Sequence, residues 1–204
     1  MGLLHAEGSP LMRGRTMQLS TSDAIRHLEE VLTMLNIHYW LKHDLFTFPW
    51  WVLLMTLIAP WMIWWKLVDK SRIAVILVYG LFMSILIIML DEIGISFGLW
   101  SYPTQLIRIL PGLYPVDFSF LPVAHMLLFQ YFRNWRSFLI AVTITGAVFS
   151  FLGEPLFVWL DIYELNHWEY YYSFPIYIAK AILVKWLVES LMTRAVKHAG
   201  GKER

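Results

Sequence analysis

Asp91, Glu92, Asp117, His125, Glu154 and Lys180 are ionisable residues set within or at the ends of otherwise apolar stretches. A carboxyl group surrounded by hydrocarbon is costly to ionise. Several at one depth therefore imply a polar pocket in which they pair with one another, handle a proton or cation, or act as general acids. Asp91, Asp117 and Glu154 are the candidate catalytic groups. Lys180 supplies a counter-charge, and an ion pair with Glu154 or Asp117 is the expected way to hold it there. Asp117, Leu121 and His125 follow at i, i+4 intervals, which aims His125 at the same interior. With Glu92 and the nearby aromatic residues Trp100, Tyr102 and Phe120, His125 and Lys180 form the candidate binding set. Lys185 and Glu189, one turn apart, read as a simple i, i+4 pair.

Other chemistry finds no support. The chain has no Cys, so thiolate metal sites and cysteine nucleophiles are excluded. It contains no P-loop, HExxH or GxSxG, and no Asp-rich pair of the prenyl-transferase kind. The seven histidines are scattered without metal-ligand spacing, so no metal and no cofactor is expected.

The elements that must position these residues are helices. The 204 residues are 58% hydrophobic and only 15% charged, too little charge for the surface of a soluble domain. A net charge of +1 gives no basic face for nucleic acid. Residues 1–19 are polar and aperiodic, and read as flexible, with no cleavable signal peptide. Ser20 or Ser22 supplies an N-cap for an amphipathic surface helix within residues 20–44, with Ile25, Leu28, Val31, Leu32 and Leu35 on one face. Five continuously apolar spans follow in a bundle covering residues 45–193: Phe46–Trp65, Ile73–Ile93, Val116–Phe132, Ser137–Leu156 and Ser173–Leu191. Each is near the roughly 20 residues needed to cross a bilayer, and pairs of Trp and Tyr mark their ends. A basic tail, residues 194–204, closes the chain. Pro155 directly follows Glu154, so a kink and an acid coincide there.

Basic residues follow the first, third and fifth spans: Lys66, Lys70 and Arg72, then Arg133 and Arg136, then Arg194, Lys197, Lys202 and Arg204. The other connections carry only Arg108. The positive-inside rule then predicts a cytoplasmic C-terminus and puts the acids near the outer face of a bacterial cytoplasmic membrane.

Two resemblances add to this reading. LDEIGISFGLWSYP, YPVDFSFLPV, MLLFQYF, FSFLGEPLFVW and YYSFPIYI resemble a family of small uncharacterised membrane proteins from spore-forming Firmicutes. From Asp91 to Tyr102 the chain reads D-x6-G-x-W-x-Y and leads to P-x-D at Pro115–Asp117. This is similar to the membrane-embedded lycopene cyclase domain of bacteria and fungi, in which D-x6-G-x-W-x-F precedes P-x-E-E. The similarity covers Leu90 to Phe132, and Phe118 stands where that family has its second acid. It implies acid-catalysed cyclisation of a polyene, started by a carboxylic acid in an apolar aromatic pocket.

The expectation is thus an all-α integral membrane bundle of five spans whose outer acidic and aromatic pocket binds a lipid, an isoprenoid or a cation. The alternative is an acid-catalysed carotenoid or isoprenoid cyclase or hydratase. A small transporter or channel ranks third, because no second polar stripe would carry solute across. The expected partners are the lipid bilayer and such a ligand, with homo-oligomerisation left open.

Overall fold

Thr47, Asp69 and Gly98 punctuate the chain and set where its first long helices begin and end. The structure, a computed structural model, describes residues 20–200. The expected flexible start at residues 1–19 and the last residues of the basic tail, 201–204, lie outside the described residues. Helix α1, Thr21–Tyr39, starts at Ser20, whose hydroxyl oxygen accepts from the Asp23 amide at 3.2 Å. Ile25, Leu28, Leu32 and Leu35 along it are all exposed. The chain up to Leu35 is one unit, and everything from Asn36 onward forms a second.

In the second unit, α2 covers Phe48–Leu67 and α3 Ile73–Ser96. Next come a π-helical turn, Val116–Phe120, and α4, Leu121–Tyr131. Helix α5, Trp135–Val148, runs through a second π-turn, Phe149–Gly153, into α6, Glu154–Trp159, and α7 spans Tyr170–Gly200. The described chain is therefore all-α apart from a two-residue ladder. In it β1, Trp100–Ser101, pairs antiparallel with β2, Glu164–Leu165. Among the described residues, three helical segments are long and apolar enough to cross a membrane: Phe48–Leu67, Lys70–Ser96 and Trp135–Trp159.

The helix ends have local causes. Phe46, expected inside the first span, adopts φ 61° and lies outside α2. The helix begins after Thr47, whose hydroxyl caps the Trp50 amide, with a proline in the first turn. Asp69 caps the 3₁₀ turn Lys70–Arg72 that leads into α3, accepting from the Ser71 amide at 3.0 Å and its hydroxyl at 2.6 Å. α7 runs beyond Leu191, so residues 194–200 of the expected tail are helical.

Both of these π-turns end next to a proline, unlike a third at Trp40–Asp44. Leu121 precedes Pro122, Glu154 precedes Pro155, and each proline sits in the first turn of the following helix. Proline has no amide to give the preceding turn, and its ring crowds that turn's carbonyl. Opening one turn to i→i+5 bonding relieves both constraints.

Hydrogen bonds distinguish the two ends of the bundle. At one, Gln130 at the end of α4 accepts from the Asp69 amide at 2.9 Å and donates to the Leu67 carbonyl at 2.9 Å. Lys185 of α7 donates to the Arg133 carbonyl at 3.1 Å and pairs with Glu189 at 2.7 Å. That lysine is buried among the rings of Phe129, Trp135 and Phe138. The basic turns following α2 and α4 therefore share one end with the C-terminal half of α7. At the other end, the 97–115 loop meets the 160–169 loop through β1 and β2. Between the ends lies a core built on Tyr79, Met83, Met126, Phe138 and Val188. The outer flanks are apolar too: Leu77, Leu81, Ile85, Met89 and Ile93 form an exposed i, i+4 row on α3.

Candidate functional site

Asp91 lies one turn before the end of α3, and the chain folds back onto it. The helix stops in a Schellman turn: the Leu99 amide donates to the Gly94 carbonyl and the Gly98 amide to Ile95, both at 2.9 Å. The turn requires a left-handed residue, and Gly98 supplies it at φ 64°. The reversal lays the Trp100 indole against Gly94 so closely that a Cβ there would overlap the ring. Trp100 Nε1 then donates to Asp91 Oδ1 at 2.9 Å, and the Tyr102 hydroxyl donates to the same oxygen. The Leu113 amide approaches Oδ2 at 3.4 Å. Asp, Gly, Trp and Tyr at these spacings are the parts of one local fold. Burial, reinforced by the charge of Asp91, raises the Tyr102 phenol well above its ordinary value, so it stays a donor.

Asp117 enters from the π-turn before α4 and is buried. Its carboxyl lines the same cavity as that of Asp91, which already accepts from Trp100, Tyr102 and Leu113. Glu154, at the second π-turn, accepts from the Ser173 hydroxyl at 3.0 Å, and that hydroxyl accepts from Trp168 Nε1 at 2.9 Å.

These groups line a single cavity of about 260 Å³ together with Trp100, Tyr102, Phe120 and Lys180. Its walls come from α3, both π-turns, α6 and α7, and aromatic rings dominate them. Trp100 meets Trp168 edge to face at 5.1 Å, Tyr102 stacks on Tyr163 at 5.7 Å, and Phe149 meets Tyr177 at 5.7 Å. Loops form the roof on the polar side. The Asn166 and His167 amides both donate to the Leu99 carbonyl, at 3.0 and 2.9 Å, and Ser101 donates to Glu164 at 3.1 Å.

Several expectations need correction. Lys180 forms no ion pair with Glu154 or Asp117: among the described residues no carboxylate lies within 4 Å of it. Its ammonium sits over the Tyr177 ring, 4.1 Å from the centroid. His125 is buried but does not reach the cavity, because its Nδ1 donates to the Leu121 carbonyl one turn back at 2.7 Å. Glu92 turns away and accepts from Tyr114 at 3.1 Å. Phe118 is 52% exposed and off the lining, so its replacement of an acid removes nothing from the cavity.

Sequence reasoning missed Gly94, Tyr163, Ser173 and Tyr177 as lining residues, and took Trp168 only as a membrane-interface marker. Gly94 had a signal: a small residue one turn after Asp91 and just before the reversal. Asp44 was missed as well. It is buried and pairs with Arg108 at 3.1 Å, which also donates to the Pro103 carbonyl at 2.6 Å and lies over Tyr39. This pair pins the loop that carries Trp100 and Tyr102. No protein family, no curated protein and no solved structure matches the chain. The two resemblances rest on the quoted motifs alone.

Proposed function

We propose that the chain is a five-span protein of a bacterial cytoplasmic membrane, C-terminus inside, whose cavity binds a lipid- or isoprenoid-class molecule. The observation that carries this reading is the meeting of Asp91, Asp117, Glu154 and Lys180 with six aromatic side chains or more around one void. A void so lined holds an apolar body and fixes it by a few polar groups. Membrane residence is supported by the apolar outer flanks, which would be a large exposed patch in water. The gathering of the basic turns at the end opposite the acids supports the orientation.

Gly153 provides the test. It lines the cavity, and a Cβ there would meet nothing closer than the Val148 carbonyl at 3.8 Å. Gly153→Leu should fill the void without disturbing its walls. Protein purified in mild detergent should release a stoichiometric apolar compound on solvent extraction, and the Gly153→Leu protein should not. Equal extracts from the two would refute the binding reading.

A second reading is favoured by the carboxyl pair. In it Asp117 carries the proton and, like Asp91, faces an aromatic-lined void. It could transfer that proton to a terminal carbon–carbon double bond, leaving a carbocation opposite the Asp91 carboxylate and the ring faces. Return of a proton from an adjacent carbon to the Asp117 carboxylate would complete a cyclisation or isomerisation and restore the acid. Expression in a carotenoid-producing host, with and without Asp117→Asn, tests this. An unchanged pigment profile with the native chain would remove it.

A further inference from the structure

Lys180 is 93% buried, aimed into the cavity, and without a carboxylate partner within 4 Å among the described residues. An ammonium has three donors, and one ring face satisfies it only in part. The cavity is small, below the roughly 300–1,000 Å³ usual for drug-sized ligands. Three of its lining residues, Ile93, Phe120 and Ile176, nevertheless stay 49%, 40% and 36% exposed on helix flanks. The void therefore reaches the apolar side of the bundle, while the loop ladder and its tryptophans cover the polar side.

We infer that the cavity takes the end of a neutral, lipid-soluble molecule bearing a hydroxyl or carbonyl oxygen, which enters sideways past Ile93 and Ile176 and docks on Lys180. This rests on the reading of the cavity as a binding site. The head-group class follows from charge. A hydrocarbon end leaves the ammonium without an acceptor. An anionic end would join a void already lined by three carboxyl groups, one of them the hydrogen-bonded carboxylate of Asp91. A neutral oxygen accepts from Lys180 and adds no charge. The tail of such a molecule exceeds the void and stays in the surrounding hydrocarbon, which matches an opening on the helix flank.

Matched photoactivatable long-chain probes decide the point: an alcohol, a methyl ketone, an alkane and a carboxylic acid, each in phosphatidylcholine vesicles containing the full chain. Labelled cavity peptides are quantified by mass spectrometry. The alcohol and the ketone should label about tenfold more than the alkane, as a charge-assisted hydrogen bond implies. Lys180→Met should erase that preference and Lys180→Arg should keep much of it. Ile93→Trp and Ile176→Trp, both at exposed positions, should slow labelling from the bilayer. Equal labelling by alkane and alcohol in the native chain overturns the head-group assignment but leaves the binding cavity standing. Strongest labelling by the acid overturns neutrality, and rates unaffected by either tryptophan overturn the lateral route. No cavity labelling by any probe ends both this inference and the binding reading.

Discussion

Asp91 accepts more of the site's hydrogen bonds than any other residue, and its replacement separates two roles. Asp91→Asn presents an amide to donors that need an acceptor, so about 1–3 kcal/mol of stability should be lost. The Trp100 environment should change with it, visible in tryptophan fluorescence. Asp117→Asn, by contrast, alters a carboxyl on which no such set of donors converges and should leave the melting temperature nearly unchanged; a loss as large as that of Asp91→Asn would give Asp117 a structural role instead. Arg108→Ala would strand the buried Asp44 carboxylate at a cost of about 3–5 kcal/mol. Arg108→Lys should rescue little, because the guanidinium serves Asp44, Pro103 and Tyr39 at once. At this scale the acids were legible because a charge in an apolar run is conspicuous. The surroundings of Glu154 were not: Ser173, Tyr177 and Trp168 are ordinary residues of a helix and its approach, and only packing of α7 against the second π-turn gives them a task.

The elements show where local rules sufficed. The Gly98 Schellman turn and the Trp100 fold-back are readable as an interval, Asp to Gly to Trp, once the helix is known to end there. Gly98→Ala should cost about 1–2 kcal/mol from backbone conformation alone, since nothing lies within 4 Å of the added carbon. Gly94→Ala should be the more damaging, because the methyl must displace the Trp100 ring and with it a hydrogen bond to Asp91. Thermal unfolding of the two variants checks the order. The π-turns were half legible: Pro155 announced a distortion but not its form, which depends on how the bulged turn packs. The turn before α3 titrates on its own. Hydrogen bonds from the Ser71 hydroxyl and amide hold Asp69 below its ordinary 3.8. The stabilisation is complete above 3.8 and lost as pH falls through the lowered folded value. Ser71→Ala should move Asp69 back towards 3.8 in an NMR titration, and an unmoved value would exclude Ser71 as the cause.

Over the whole molecule, helices occupy all five apolar stretches expected to form them, because continuous hydrophobicity of this length leaves little else. The two-stranded ladder was invisible in the sequence, as its halves are two residues each and lie in separate loops. The lack of cysteine makes orientation directly measurable. Single cysteines placed at Ser71 and Asn134 should react with a membrane-impermeant maleimide only after the membrane is opened, and one at Glu164 should react in intact cells. The reverse pattern would invert the topology.

The clasp between β1 and β2 also has a place in time. Trp100 leaves the ribosome long before Leu165 exists to pair with it, so Asp91 and Asp117 are made before the ladder that covers them. Only when the last connection is made does the chamber gain a ceiling.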